Sequence, residues 1–219
     1  MSLVLGIDTA TDVRAGVARD GVTAASGEVP DRRAHAEQLL PLVRRVLAQA
    51  GASPADLSGV VVGVGPGPFT GLRVGVAAAI TMAEALGIPV RGVCSLDVVA
   101  LEWAGRPDAP GGEFAVVSDA RRKEVYWARY AADGARLDGP FVTAPDAVPD
   151  LPLAGPGAEL TGRTCSGPAA VDAGLLAAHG DRLPDAGLVP LYLRRPDAEV
   201  PTTRKSTLLQ PRVAMMGRK

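Results

Sequence analysis

Residues 3–29 begin Leu3-Val4-Leu5-Gly6-Ile7-Asp8-Thr9-Ala10-Thr11-Asp12 and continue through Val13 to Ala18, Asp20-Gly21 and Thr23 to Val29. A short apolar run ending on Asp8, a return, and an Asp-Gly tight-turn signal predict three antiparallel strands. The same order recurs about 110 residues later: Phe114 to Ser118, Asp119-Ala120-Arg121-Arg122-Lys123-Glu124, Val125 to Tyr130, Asp133-Gly134 and a third strand ending near Val142. Aspartate closes the first strand of both copies, and Asp-Gly turns the second strand into the third. One shared dipeptide is cheap by chance, whereas the ordered echo of every part favours a duplicated unit over two unrelated meanders.

Between the copies, Arg33 to Ala50 carries Leu39, Val43, Val46 and Leu47 at helical spacing and ends at Gly51. Pro41 lacks an N–H and crowds the carbonyl four residues back, so a kink or restart is expected there. Val60 to Val64 reads as a buried strand, Gly71 to Leu86 as a second helix, Val90 to Val93 as a strand and Leu96 to Ala104 as a third helix. This alternation predicts an α/β lobe with a mixed sheet. Gly105-Arg106-Pro107-Asp108-Ala109-Pro110-Gly111-Gly112 is the expected boundary, giving a first lobe over 1–105 and a smaller second lobe over 112–195. After Val142 only Ala169 to His179 is expected to be helical. Residues 196–219 lack a periodic apolar face, and their last twenty carry Arg204, Lys205, Arg212, Arg218 and Lys219 without an acid, so a basic, flexible tail is expected.

Residues 61–75 read Val-Val-Gly-Val-Gly-Pro-Gly-Pro-Phe-Thr-Gly-Leu-Arg-Val-Gly, a strand running through a glycine-proline turn into a helix. Gly63, Gly65 and Gly67 permit backbone angles that other residues avoid, amide groups could line the turn, and Thr70 is placed to cap a helix beginning at Gly71. A phosphate loop requires Gly-Lys-Ser/Thr where this chain has Thr70-Gly71-Leu72. In the dinucleotide spacing the third glycine falls one place late, at Gly71. The loop shape is present while the standard nucleotide-binding chemistry is not.

The 219 residues are 47% apolar, ample for a core, and the formal charge of −1 removes the simplest case for a stand-alone nucleic-acid binder. Cys94 and Cys165 lack a paired spacing and no leader is apparent, which points to a reducing cytoplasm without disulfides. No apolar run reaches the roughly 20 residues that span a bilayer.

Taken together, the repeated three-strand start, Ile7-Asp8-Thr9-Ala10-Thr11, Gly65-Pro66-Gly67-Pro68-Phe69-Thr70-Gly71-Leu72-Arg73, Asp119-Ala120-Arg121-Arg122-Lys123-Glu124-Val125-Tyr126 and Pro190-Leu191-Tyr192-Leu193-Arg194-Arg195 resemble the bacterial TsaB family, also called YeaZ, over residues 3–195. The resemblance implies the α/β actin/hexokinase/Hsp70-like (ASKHA) fold of two related lobes. It also implies a non-catalytic partner of TsaD in making N6-threonylcarbamoyladenosine at position 37 of tRNAs that read ANN codons. TsaE, an ATPase, and TsaC, which makes the threonylcarbamoyl-adenylate donor, complete that pathway. In TsaD a His-x-x-x-His pair holds a metal after the glycine-loop helix. The corresponding positions here fall near Ser95 and Val99, which are no substitutes as ligands, and the chain's two histidines, His35 and His179, stand 144 residues apart. A metal site of that kind is excluded by the sequence.

In actin-like ATPases the aspartate after the first strand helps hold nucleotide-bound magnesium. Asp8 could do so together with Gly65, Gly67 and Thr70, or it could simply close an Asx turn. The second copy, Asp119-Ala120-Arg121-Arg122-Lys123, lacks the glycine of a second phosphate loop, so the expectation is no intrinsic cofactor, with ATP or ADP only at a complex interface. Gly71, Gly75, Ala79 and Ala83 place small side chains along one face of the second helix, for packing either within the lobe or against another chain. His35, Gln38 and the ridge Leu39, Leu42, Val43 and Val46 could supply the other half of such an interface. In the family, these first-lobe helices form both the TsaD contact and a homodimer contact. Arg73 is either a solvated arginine or a ligand for a partner carboxylate or phosphate. Arg121, Arg122 and Lys123 beside Tyr126 and Trp127 are either a charged hairpin tip or an RNA contact.

The reading is therefore a scaffold that binds TsaD, helps recruit TsaE and tRNA, and does no bond-making chemistry. Its rivals are an ATP-dependent phosphotransferase using Asp8 and the 65–71 loop, a glycoprotease as relatives of TsaD were once labelled, and direct RNA binding without a partner. The first lacks a second phosphate loop, the second lacks a nucleophile and base, and near-zero charge opposes the third.

Overall fold

Strand β1 (Leu3–Asp8) is the hub of the first sheet. Leu3, Leu5 and Ile7 are buried against helices on one face, while Gly6 turns the other face toward a helix backbone. Strand β2 (Val13–Arg19) returns antiparallel with Ala15 opposite Ile7, and β3 (Val22–Val29) follows a turn in which Asp20 and Gly21 take φ of 51° and 78°. On its other edge β1 pairs in parallel with β4 (Gly59–Gly63), which pairs in parallel with β5 (Val90–Val93), giving the order β3-β2-β1-β4-β5. Helices α1 (His35–Gln49) and α2 (Phe69–Leu86) make the long connections, and α3 (Ser95–Ala104) leads out of the sheet. The meander is then repeated in β6 (Phe114–Arg121), β7 (Glu124–Tyr130) and β8 (Arg136–Thr143), with the short β9 (Leu153–Ala154) parallel to β6, in the order β8-β7-β6-β9. These elements come from a computed structural model that describes residues 2–29 and 35–194; the expected tail and the expected helix start at Arg33 lie outside the described residues.

Two local expectations meet the structure at helix starts and interiors. Of the kink or restart expected at Pro41, the restart does not occur: helix α1 runs through the proline as one element. Burying a leucine or valine is worth about 1.5–3 kcal/mol, and Leu39, Leu42, Val43 and Val46 anchor the helix on both sides of a proline that costs about 3 kcal/mol. Helix α2 starts at Phe69 with Pro68 as its N-cap, at φ −61° and ψ 135°, and Leu72 N–H donates to the Pro68 carbonyl at 3.1 Å. Thr70 therefore lies inside the first turn and caps nothing, because Pro68 has already set the entry angle.

The chain does not finish on the second sheet. Helix α4 (Ala173–His179), capped by Asp172, lies across β1, β2 and β3 of the first sheet. An added Cβ at Gly6 would fall 2.5 Å from the Ala173 carbonyl oxygen, and at Gly16 2.4 Å from the Ala173 carbonyl carbon. Farther on, Ala186 N–H donates to Gly92 O at 2.9 Å and Leu191 N–H to Val64 O at 2.8 Å. The expected 112–195 unit thus gives its last part to the first sheet. A shared core beneath joins Val61 and Val93 to Leu96, Val99, Trp103, Phe114, Tyr130 and Leu176, with the Trp103 and Phe114 rings 4.9 Å apart.

Candidate functional site

The ends of β1 and β4 meet the glycine-proline turn, the place where an actin-like enzyme would hold a nucleotide. Asp8 is fully buried there. Its Oδ1 accepts from Ala10 N–H at 2.9 Å, closing the Asx turn, and its Oδ2 accepts from the Ser95 hydroxyl at 2.6 Å. Ser95 Oγ in turn accepts from Gly65 N–H at 3.1 Å, and the Gly65 carbonyl accepts from Ser95 N–H at 2.8 Å. Burial pushes the Asp8 carboxyl above its ordinary range, against the opposing pull of the Ser95 and Ala10 hydrogen bonds. The surrounding glycines are fitted to this closure. A Cβ at Gly63 would lie 1.9 Å from Asp8 Oδ2, one at Gly67 2.6 Å from Ala10 O, and one at Gly75 2.2 Å from Thr9 Oγ1. Thr9 Oγ1 donates to the Gly71 carbonyl at 2.8 Å. Gly65 and Gly67 are themselves buried, so the turn faces its own chain instead of offering an amide cradle to solvent.

The partner-facing residues expected from the sequence divide differently. Leu39, Leu42, Val43 and Val46 are buried in the first core with β1, β2 and α2, and Gly71, Gly75, Ala79 and Ala83 are the buried side of α2. As contact residues they are corrected: an apolar helical stripe reads the same whether it meets its own sheet or a second chain, and here the sheet takes it. Gln38 is partly buried, and the side chain of His35, the first helical residue, lies outside what is described. The solvent faces of the helices are instead Ala36, Glu37, Leu40, Pro41, Arg44, Arg45, Ala48 and Gln49 on α1, and Thr70, Arg73, Ala77, Thr81, Glu84 and Ala85 on α2. Leu40 is 48% exposed. The eighteen residues of α2 contain two charges, Arg73 and Glu84; by length and composition it passes as a membrane span, yet its buried side packs on the sheet.

Arg73, open in the sequence between a solvated arginine and a ligand for a partner, already has company. Its guanidinium carbon sits 3.7 Å from the Phe69 ring centroid, its Nε donates to Tyr192 Oη at 3.0 Å, and the Phe69 and Tyr192 rings are 4.7 Å apart. Tyr192, 119 residues away, carries no local signal that would have paired it with Arg73. Ser95 was likewise readable only as a lost ligand position, not as the residue that seals Asp8. At the β6–β7 tip, Arg121, Arg122 and Lys123 are exposed with φ of 64°, 52° and 62°. Asp119 holds this turn, accepting from Arg121 N–H at 2.7 Å.

Two sheets repeating one meander, joined through a shared core, with Asp8 at the end of one leading strand and Asp119 two residues before the end of the other, define an α/β protein of the actin/hexokinase/Hsp70-like class. The family described as "TsaD: tRNA N6-adenosine threonylcarbamoyltransferase" matches residues 20–161. An uncharacterized protein of Mycobacterium tuberculosis is 50% identical over 208 residues, spanning 91% of this chain and 95% of that one. The tRNA threonylcarbamoyladenosine biosynthesis protein TsaB of Escherichia coli is 37% identical over 131 residues, 59% of this chain and 55% of that protein. A solved structure of YeaZ from Pseudomonas aeruginosa superposes with a TM-score of 0.71 at 27% identity, covering 88% of this chain and all of that one. The chain belongs to this TsaD-related family, in its TsaB/YeaZ group.

Proposed function

We propose that the chain is a non-catalytic subunit in the formation of N6-threonylcarbamoyladenosine at position 37 of tRNAs that read ANN codons. It binds the catalytic relative TsaD, stabilises its active form and helps bring TsaE and tRNA to it. The observation that carries this reading is the closed Asp8 site: the carboxylate of an actin-like active site is fully buried and bonded to Ser95 and Ala10. Nothing favours the phosphotransferase alternative, which needs Asp8 and the 65–71 loop open to a nucleotide. ATP or ADP, in this reading, is held only at the complex interface, and tRNA is met through the complex, in keeping with a formal charge of −1.

The TsaD contact is assigned to the outward faces of α1 and α2, where Leu40 and the uncharged run Ala77-Thr81-Ala85 offer a surface that desolvates cheaply. A homodimer of the isolated chain would use the same faces, and the setting is the cytoplasm. Co-expression with the TsaD of the same organism, followed by light-scattering mass and a tRNA modification assay, tests the reading. A stable complex, with modification lost when this chain is left out, is the expected result. ATP hydrolysis by the isolated chain without any complex would replace the scaffold with an enzyme.

A further inference from the structure

The last described residues form a strap that crosses from one lobe to the other. From its hydrogen bonds beside β4 and β5 the chain runs on to Tyr192, which holds Arg73 on the first turn of α2, and two residues later to Arg194, which holds the β6–β7 turn. Arg194 Nη1 donates to Ala120 O at 2.9 Å, and its Nη2 stands 2.7 Å from Glu124 Oε2. Arg73, Arg194 and the exposed tip Arg121-Arg122-Lys123, from three distant parts of the sequence, are thereby joined in one basic stripe. The carboxylates within it, Asp119 and Glu124, are paired with Arg121 and Arg194. Positive charge is left in excess here, on a chain whose formal charge is −1.

Backbone preference does not explain the tip. Arg121 pairs with Glu124, so Arg122 and Lys123 are the two residues of a tight hairpin loop, with φ of 52° and 62°. Positive φ at both positions is the geometry for which Asn-Gly and Asp-Gly are ordinarily used. The chain uses that solution between β2 and β3, where Asp20 and Gly21 take φ of 51° and 78°. At β6–β7 it keeps two long cations in a conformation that such residues adopt at a cost. Packing does not require them either, because both side chains are exposed.

We propose that this stripe is an RNA-phosphate contact, centred on Arg122 and Lys123, by which the chain holds tRNA once TsaD is bound. The inference rests on the function proposed above, which brings tRNA to the complex. A phosphate backbone presents a row of charges, as the stripe does, and Tyr192, 38% exposed beside Arg73, offers a ring of the kind on which unpaired bases stack. Arg73 lies at the N-terminal end of the outward face of α2, so the stripe begins where the TsaD contact is assigned and continues onto the second lobe.

The test uses the complex with the TsaD of the same organism and a fluorescently labelled tRNA that reads an ANN codon, with affinity measured by anisotropy from about 50 to 200 mM salt. Arg122→Asn with Lys123→Gly puts the ordinary loop residues at the tip, so its Tm should equal or exceed that of the parent, with complex formation unchanged. Binding of tRNA should nonetheless weaken about tenfold, and the slope of log affinity against log salt should become shallower by about 2, one for each lost phosphate contact. Lys123→Gln, which removes a single charge, should move the slope by about 1. A purely structural turn would move Tm and leave the slope alone. If the double variant assembles with TsaD and binds tRNA with the parent's affinity and slope, the stripe is a solvated surface, and this proposal is overturned while the proposed function stands. Poor assembly of a folded double variant would mean that the tip meets a protein instead, which overturns it as well. Failure of the parent chain to join TsaD at all would sink the proposed function, and the RNA contact with it.

Discussion

Gly63 has no room for a side chain, because the atoms it would strike are the two that seal the candidate site. An alanine Cβ would fall 1.9 Å from Asp8 Oδ2 and 2.7 Å from Ser95 Oγ, both held in place by hydrogen bonds. Gly63→Ala should therefore force Asp8 off Ser95 and cost about 3 kcal/mol, read as a lower denaturation midpoint at constant slope. An unchanged midpoint would mean that the closure is loose. Asp97 is a residue of the same kind: burial pushes its carboxyl upward, only partly offset by Arg136, Tyr130 and Cys94. A carboxyl raised in the folded state ionises later than in the unfolded chain. Its penalty on folding is thus absent below the ordinary value of 3.8, grows as pH rises toward the raised folded value, and is complete above it. Asp97→Asn, which keeps an acceptor for Tyr130, should gain stability relative to the parent as pH rises from about 4 to 7, and the difference between the two unfolding curves isolates this one group. A difference that is flat with pH would show that the carboxyl titrates normally.

Helix α2 shows how one element divides between its own chain and another. Ala79 is fully buried, while Ala77, two residues away, faces solvent. Ala79→Glu should place a charge in the sheet contact and cost more than about 3 kcal/mol, whereas Ala77→Glu should leave stability within about 0.5 kcal/mol. If the outward face is the TsaD contact, Ala77→Glu should nevertheless abolish co-purification; retention of the complex by a folded Ala77→Glu chain would move the contact elsewhere. The same helix marks the boundary of what the sequence discloses. The spacing of Gly71, Gly75, Ala79 and Ala83 correctly grouped them on one face, and the runs Leu3 to Ile7 and Val90 to Val93 gave strands nearly to the residue, because side-chain periodicity is a local property. What a face meets is not local. The ridge of α1 could not reveal that its own sheet would cover it, and neither the Asp8–Ser95 bond across 87 residues nor the Arg73–Tyr192 bond across 119 leaves a mark on its neighbours. Thr70 misled because a cap signal at the helix start was read without the fixed angle of Pro68.

At the scale of the molecule, α4 carries the chain from the second sheet back across the first, which makes the two lobes mechanically dependent. Gly6 and Gly16 let its backbone approach the strands, and Leu176 reaches the core that both sheets share. A helix of seven residues has little stability of its own, so its fold and its docking must form together. The chain is therefore expected to unfold in one transition, with calorimetry coincident with the fluorescence of Trp103 in the shared core and Trp127 in the second sheet. Gly16→Ala would drive a methyl group into the Ala173–Gly174 backbone, at 2.4 Å from both the carbonyl carbon and the following nitrogen. Its expected cost is about 3 kcal/mol, roughly 6–12 °C in Tm for a chain of this size. Because the damage falls on the link rather than within either sheet, the single transition should also split, with amide protection lost first in β1 to β3 and later in β6 and β7. A variant that melts lower but still in one step would place the coupling in the α3 and Trp103 core instead. One that melts like the parent would mean that α4 merely rests on the first sheet.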